Sequence, residues 1–253
     1  MAPLRVSAVV TTRDNARTLD ACLASLAWCD ERVVLDSGSR DATLAIARRH
    51  GARIAFQPFA GYGPQKQAAI ALAEGEWVLL LDADEELTAQ GRAAILRELQ
   101  APRADGYRLP RQEWLFWRWP PPGVRPNWQL RLFRRGCGRM NAVPVHAAPE
   151  VDGRVRDLRA PLLHHGEPQL ADRVDKVNRY SSGLAAHKRR RRVRLLGLRV
   201  LLYPSLAFLK FYFGKRYFLA GWAGYLAART QAFYAFLKYA KVLEAGRRAR
   251  GPQ

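Results

Sequence analysis

Along the first hundred residues the apolar positions fall into two alternating patterns. Short apolar runs, Leu4–Thr12, Arg32–Leu35, Arg53–Phe56 and Trp77–Leu81, read as strands, and the last has the character of one buried on both faces of a parallel sheet. Between them apolar residues recur at helical spacing. Leu19, Cys22, Leu23 and Leu26 form one such set, Ala42–Arg49 a second with Asp41 near its start and Gly51 just past its end, and Pro64–Ala73 and Thr88–Leu99 complete the series. Strand and helix in regular turn predict an α/β fold, a doubly wound and mostly parallel sheet. The rhythm breaks after Ala101. Residues 107–165 are rich in Arg, Trp and Pro, with Trp119–Gly123 a loop and Gln129–Phe133 and Pro161–His164 short strands that extend the sheet. From Asp172 a helical pattern runs on into a basic C-terminal region, and no internal repeat is visible. The expected organisation is one domain over 1–170, with halves 1–100 and 101–170, and a helical region over 171–253.

The polar residues that end the strands bring in chemistry. Asp82 and Asp84 close the fourth strand within the run Asp82-Ala83-Asp84-Glu85-Glu86. Two apart in extended chain, they leave it on the same side, and parallel sheets keep their ligand sites at that end of the strands. Two acids there are costly without a cation between them, which points to a divalent metal; a strand running into an acidic helix start is the other reading. The second strand ends in Asp36-Ser37-Gly38-Ser39, with Asp41 close behind. That segment suits a base or ribose with nearby phosphates, or simple helix capping. Thr11-Thr12-Arg13-Asp14-Asn15 closes the first strand, so three polar clusters at strand ends line one rim of one sheet.

With these clusters, and with Gly61-Tyr62-Gly63-Pro64-Gln65-Lys66-Gln67 before the acidic strand, the chain resembles the family 2 glycosyltransferases, which have the GT-A nucleotide-sugar fold. More narrowly it is similar to bacterial enzymes that add a sugar to the lipopolysaccharide inner core, over Leu4 to about Lys241. The resemblance implies an inverting, metal-dependent transfer from a nucleotide-sugar donor, a UDP-sugar, to a lipid-anchored glycan acceptor. Transfer to a polyprenyl phosphate or capsular glycan is an alternative, as is a non-catalytic homologue that binds nucleotide-sugar or membrane. It implies that Thr11 and Asp14 border the nucleotide pocket and that Asp36, with Ser37 beside it, hydrogen-bonds the base or ribose. Lys66 would approach the diphosphate, and Asp82 and Asp84 would be the Asp-x-Asp pair, Asp84 the direct ligand of Mg²⁺ or Mn²⁺ and Asp82 partly engaged with the ribose. Such a hard cation prefers carboxylate and phosphate oxygens and offsets charge on the departing nucleoside diphosphate.

An inverting transfer also needs a base for the acceptor hydroxyl. Sequences of the resembling group place Glu directly after the His of Val143-Pro144-Val145-His146, and here that position is Ala147. Glu150 is the expected substitute, with Asp152, His146 and Glu113 behind it. By the same resemblance His164 completes the metal shell or contacts the diphosphate, with His165 the weaker candidate; a structural histidine is the other reading. Arg131 or Arg134 binds diphosphate bidentately or is a solvated sheet-edge arginine. The Trp-rich Glu113–Trp119 is an acceptor platform or a buried strand with a hydrophobic flap.

Composition narrows the partner and the compartment. The net charge of +20, from 42 Lys+Arg against 22 Asp+Glu, demands an anionic partner. Sixteen of those basic residues, and a single acid, Glu244, fall between His187 and Gln253. Lys188–Arg194 is a polybasic cluster, followed by the apolar, aromatic segments Leu195–Phe213 and Tyr217–Leu237, which Arg199, Pro204, Lys210, Lys215 and Arg216 interrupt or separate. The longest uncharged runs, Val200–Leu209 and Tyr217–Ala228, fall short of the ~20 residues that span a bilayer. Because the aromatics lie among Leu and Ala, an anionic membrane surface is preferred to nucleic acid or to a merely solvated basic face. Three cysteines without paired spacing, and a first segment unlike a secretory leader, suggest a reduced cytoplasmic protein, peripheral on the inner face of the cytoplasmic membrane.

Overall fold

The computed structural model describes residues 5–141, 147–189 and 195–248, with the side chains of 184–189 excepted. Four strands, β1 (Val6–Thr12), β2 (Glu31–Asp36), β3 (Arg53–Phe56) and β4 (Trp77–Asp82), pair in parallel in the order β3-β2-β1-β4. Parallel neighbours need crossovers, and α1 (Leu19–Ser25), α2 (Thr43–Arg49) and α3 (Tyr62–Ala71) supply them. Both faces of the sheet are covered. One side packs Val10, Leu79 and Leu81 against Leu19, Leu23, Leu26 and Ile95; the other packs Val9, Val33 and Leu80 against Ala69, Ile70 and Phe133. This two-sided burial is why β1 and β4 read as apolar runs, whereas β3, at the edge, leaves Arg53 and Phe56 exposed.

After β4 the chain turns tightly into β5 (Glu85–Leu87) and then α4 (Ala89–Gln100), whose N-cap Thr88 accepts the Gly91 N–H at 2.9 Å. The acidic run therefore opens a short strand, and the helix begins only beyond it. β6 (Gly106–Glu113) and β7 (Asn127–Arg134) run antiparallel to each other, and β7 is antiparallel to β4. β8 (Gly138–Met140) and β9 (Pro149–Val151) form a separate two-stranded sheet; β10 (Val155–Asp157) joins β6, and β11 (Leu162–His164) is antiparallel to β5. The main sheet thus follows the path β3-β2-β1-β4-β7-β6-β11-β5. The expected α/β class and the expected extension of the sheet are both present.

The chain divides into two compact units. The first is built from the segment up to Gln112 together with Asn127–His165, the second from Glu113–Pro126 and everything from Gly166 on. In the second unit, Glu113–Trp119 makes a tight turn, with Leu115 bridging Arg118 and Phe116 at φ +60°. Leu115 and Phe116 are buried there against Tyr217, Ala220, Ala223 and Ala227. The remaining elements are α5 (Leu170–Arg189), α6 (Leu196–Leu209) and α7 (Gly221–Arg248). Gly224 lets α7 approach closely, because a Cβ there would meet the Tyr217 carbonyl oxygen at 1.9 Å. Lys241 of α7 ties down α5, donating to the Asn178 carbonyl at 2.7 Å and to Ser181 Oγ at 2.8 Å.

α6 buries none of its side chains, and Leu201 on it is 72% exposed. It continues through a π-helical turn at Lys210–Gly214, so Leu196–Gly214 forms 19 helical residues with mean hydropathy 1.3. By length and composition alone that segment suffices to cross a membrane. The uncharged run read from the sequence is shorter because Lys210 ends it, yet the helix carries on through that residue. Arg190–Arg194 of the polybasic cluster lie outside the described residues, as do the side chains of Lys188 and Arg189.

Candidate active site

The register of the three central strands brings the polar clusters side by side. Thr12 is opposite Asp36 across β1–β2, and Thr11 is opposite Asp82 across β1–β4. The loops after β1 and β2 are laced together. Ser39 Oγ accepts the Asp14 N–H at 2.9 Å, and Asp14 Oδ1 accepts the Arg40 N–H at 2.8 Å. Asp14 holds φ +52°, a left-handed backbone that Asp tolerates better than most residues. Asp36 is buried, and its Oδ2 accepts the N–H groups of Gly38 at 2.8 Å and Ser39 at 2.9 Å. Ser39 Oγ donates to its Oδ1, so this carboxylate shapes the turn that Gly38 completes at φ +97°, with Ser37 half-buried next to it. Asp41 accepts the Ala16 and Thr43 N–H groups at 3.0 and 2.9 Å, which fixes the start of α2 beside the loop after β1.

The acidic turn between β4 and β5 is the electrostatic centre. Asp82 lies between two cations: Lys66 Nζ, from the first turns of α3, pairs with its Oδ1, and Arg131 Nη2, from β7, donates to its Oδ2 at 2.7 Å. Burial alone would raise the Asp82 carboxyl, but Lys66 and Arg131 outweigh it and hold the group well below the usual carboxylate range. Arg131, expected at the diphosphate, is instead 3% exposed beneath Asp82, where it also meets Glu85 Oε1 at 2.6 Å. Arg134, the other arginine considered, pairs with Glu76 at the opposite end of β4. Asp84 faces His164 of β11, with Nε2 3.2 Å from Oδ2, and its carbonyl accepts the His165 N–H at 2.8 Å. His165 Nε2 lies 2.8 Å from Glu86 Oε2. Beneath the turn, Cys22 Sγ is 3.6 Å from the Asp82 carbonyl oxygen; burial, then Glu85, Asp84, Asp82 and Glu86, push its thiol well up.

Asp84 and His164 offer a carboxylate oxygen and an imidazole nitrogen on facing strand ends, a donor pair that Mg²⁺ or Mn²⁺ accepts. Among the described residues no group of three His, Cys, Asp or Glu side chains converges on one point. A two-residue set fits a cation whose other ligands are phosphate oxygens and water, as is usual for Mg²⁺. The remaining expected residues stand on other segments of the chain. Glu150 is exposed on β9, opposite Arg139 of β8, whose guanidinium pairs with Asp152. β8 is tied to α3 by the Met140 N–H, accepted by Gln67 Oε1 at 2.8 Å. Ala147 lies on the same side of α3, where a Cβ on Gly63 would come within 3.1 Å of the Ala147 methyl group. Glu113 belongs to the second unit, and His146 lies outside the described residues. Glu85 and Arg111 were not anticipated. Nothing in the spacing of the chain pairs an acid on β5 with arginines 26 and 46 residues further on.

Residues 7–147 match the profile of the family described as Glycosyl transferase family 2. The lipopolysaccharide core biosynthesis glycosyltransferase LpsC of Rhizobium meliloti (strain 1021) is 33% identical over 251 residues, covering 95% of this chain and 93% of that protein. An uncharacterized glycosyltransferase of Rickettsia felis is 28% identical and covers 95% of this chain and 90% of its own. Among solved structures, S. aureus TarS 1–349 in complex with UDP is similar at 17% identity and a TM-score of 0.48, over 98% of this chain and 92% of that one.

Proposed function

This chain belongs to glycosyl transferase family 2, and we propose that it transfers a sugar from a UDP-sugar, with inversion, to the lipid-anchored core of lipopolysaccharide. The observation that carries this reading is the pair of centres at the end of β4, where Asp84 meets His164 and Asp82 meets Lys66. Each centre sets an acid against a nitrogen base at the end of β4, which offers groups of both kinds to a diphosphate with its divalent cation. Asp84 and His164 would hold the cation, which supplies Lewis-acid stabilisation of the departing nucleoside diphosphate. Lys66 approaches the same oxygens from α3, and Asp82 turns it toward them. Thr11, Asp14 and the loop shaped by Asp36 and Ser37 border the nucleotide. Glu150, exposed on β9, takes the proton from the acceptor hydroxyl in place of the glutamate absent at Ala147.

The acceptor choice rests on the similarity to LpsC, and the second unit supports it. α6 exposes Leu201 and Leu206, with Trp222 at the head of α7 75% exposed, and Arg199 and Arg229 lie over the Tyr203 and Phe208 rings. An apolar face flanked by cations suits a helix lying in an anionic membrane interface, where a lipid-linked acceptor is found. Ala147 favours one other reading, a homologue that binds donor without transfer.

Release of UDP from UDP-sugars, with Mn²⁺ and extracted lipopolysaccharide core, separates the two. The wild type is expected to turn over, Asp84→Ala to lose about 10²-fold or more in kcat/KM, and Glu150→Gln to lose about 10²-fold with UDP affinity unchanged. Donor binding by the wild type without turnover on any core acceptor would leave the binding homologue standing.

A further inference from the structure

Glu85 is the most deeply buried acid of the run, 0% exposed at the head of β5. A carboxylate at that depth persists only with counter-charges and hydrogen bonds. Glu85 has both. Its Oε1 accepts from Arg131 Nη2 at 2.6 Å and from Arg111 Nη1 at 2.9 Å, and its Oε2 accepts the backbone N–H of Asp82 at 3.1 Å. The last of these closes the four-residue turn on which Asp82 and Asp84 stand. Arg131 Nη2 is shared, because it also donates to Asp82 Oδ2 at 2.7 Å. Glu85 therefore grips Asp82 twice, once through the backbone and once through a guanidinium. One oxygen of Asp82 is turned into the sheet and the other toward Lys66. Arg131 gives up one of its own donors in this arrangement, for its Nε is buried without a hydrogen-bond partner.

We propose that Glu85 and Arg131 are positioning residues, which orient the Asp82 carboxylate and close the turn so that Asp84 is presented for the divalent cation and diphosphate. This rests on the reading of the site given above. Neither residue needs to touch the donor. Without the charge on Glu85, the shared Arg131 guanidinium would turn wholly to Asp82, drawing it inward and away from Lys66.

The test measures Mn²⁺ affinity in the presence of UDP by titration calorimetry and by the Mn²⁺ electron-spin signal, alongside donor KM, kcat and thermal stability. Glu85→Gln keeps the shape and removes the charge; it should weaken Mn²⁺ binding by about 10–100-fold, as loss of a residue behind a metal ligand does. Donor KM should rise more than kcat falls. Glu85→Gln with Arg131→Met removes one charge of each sign, so it should recover thermal stability while Mn²⁺ affinity stays at least about 10-fold weak. Recovery of both in the double variant, or wild-type Mn²⁺ affinity in Glu85→Gln, would overturn the positioning role. A wild-type protein that binds neither Mn²⁺ nor UDP would instead overturn the reading of the site itself, and the positioning role with it.

Discussion

In the α/β unit, the arginines of the site face carboxylates. Arg131 is held between Asp82 and Glu85, and Arg111 joins it at Glu85. In the helical unit, cations lie over aromatic rings: Arg199 is 5.6 Å from the Tyr203 ring, Arg229 5.8 Å from Phe208, and Lys210 6.0 Å from Phe211. The one acid of the C-terminal stretch, Glu244, pairs with Arg248 near the end of α7. A carboxylate cancels the charge it binds, whereas a ring attracts a cation and leaves its charge intact. The site of the first unit thus consumes these arginines internally, whereas the ring-bound cations of the second keep their field available to an outside anion. The net charge of +20 is in this sense a property of one unit more than of the whole chain.

The sharpest way to break this contrast is to remove one cation from each setting. Arg131→Ala leaves two acids buried with too little counter-charge and should cost about 3–5 kcal/mol in urea unfolding, against under about 1 kcal/mol for Arg229→Ala. Equal losses would erase the distinction. A smaller effect separates the pairs by acid. Lys66 and Arg131 hold Asp82 below its unfolded value of ~3.9 in spite of burial. Its stabilisation is therefore complete above that value and is lost as pH falls through the lower folded one. Asp82→Asn should melt with a flatter acid limb below about pH 4 than the wild type; an unchanged slope would mean that the pairing adds nothing to stability. The smallest effect concerns the helical unit. Arg229→Gln should reduce partition onto vesicles of anionic lipid by about 5-fold, at ~1 kcal/mol per charge, and the deficit should shrink with added salt. Binding unchanged by the substitution would mean that this cation serves only Phe208.

The fold of the first hundred residues was largely legible. Arg53–Phe56 is the third strand at its expected bounds, and Trp77–Leu81 needed only Asp82 added. A strand buried on both faces, such as β4, announces itself without reference to anything distant in the chain. The rim was legible for the same reason, since Thr11, Asp36 and Asp82 terminate those strands. What sequence reading could not supply was pairing over distance. Glu85 looked like one more acid in an acidic run, and Arg131 like a ligand for phosphate, until β5, β6 and β7 brought them together. β5 itself was hidden because Glu85-Glu86-Leu87 also fits the approach to a helix. The small β8–β9 sheet is too short, at three residues a strand, to show any periodicity.

Cys22 adds a quieter consequence. Its sulfur lies directly under the acidic turn, yet burial and four surrounding carboxylates keep it protonated. Oxidants and electrophiles attack the thiolate, so this sulfur is inert while the turn stays closed. A cysteine beside so charged a turn is thus held in its less reactive thiol form. Burial does most of this, and the acids proposed to gather a cation add to it.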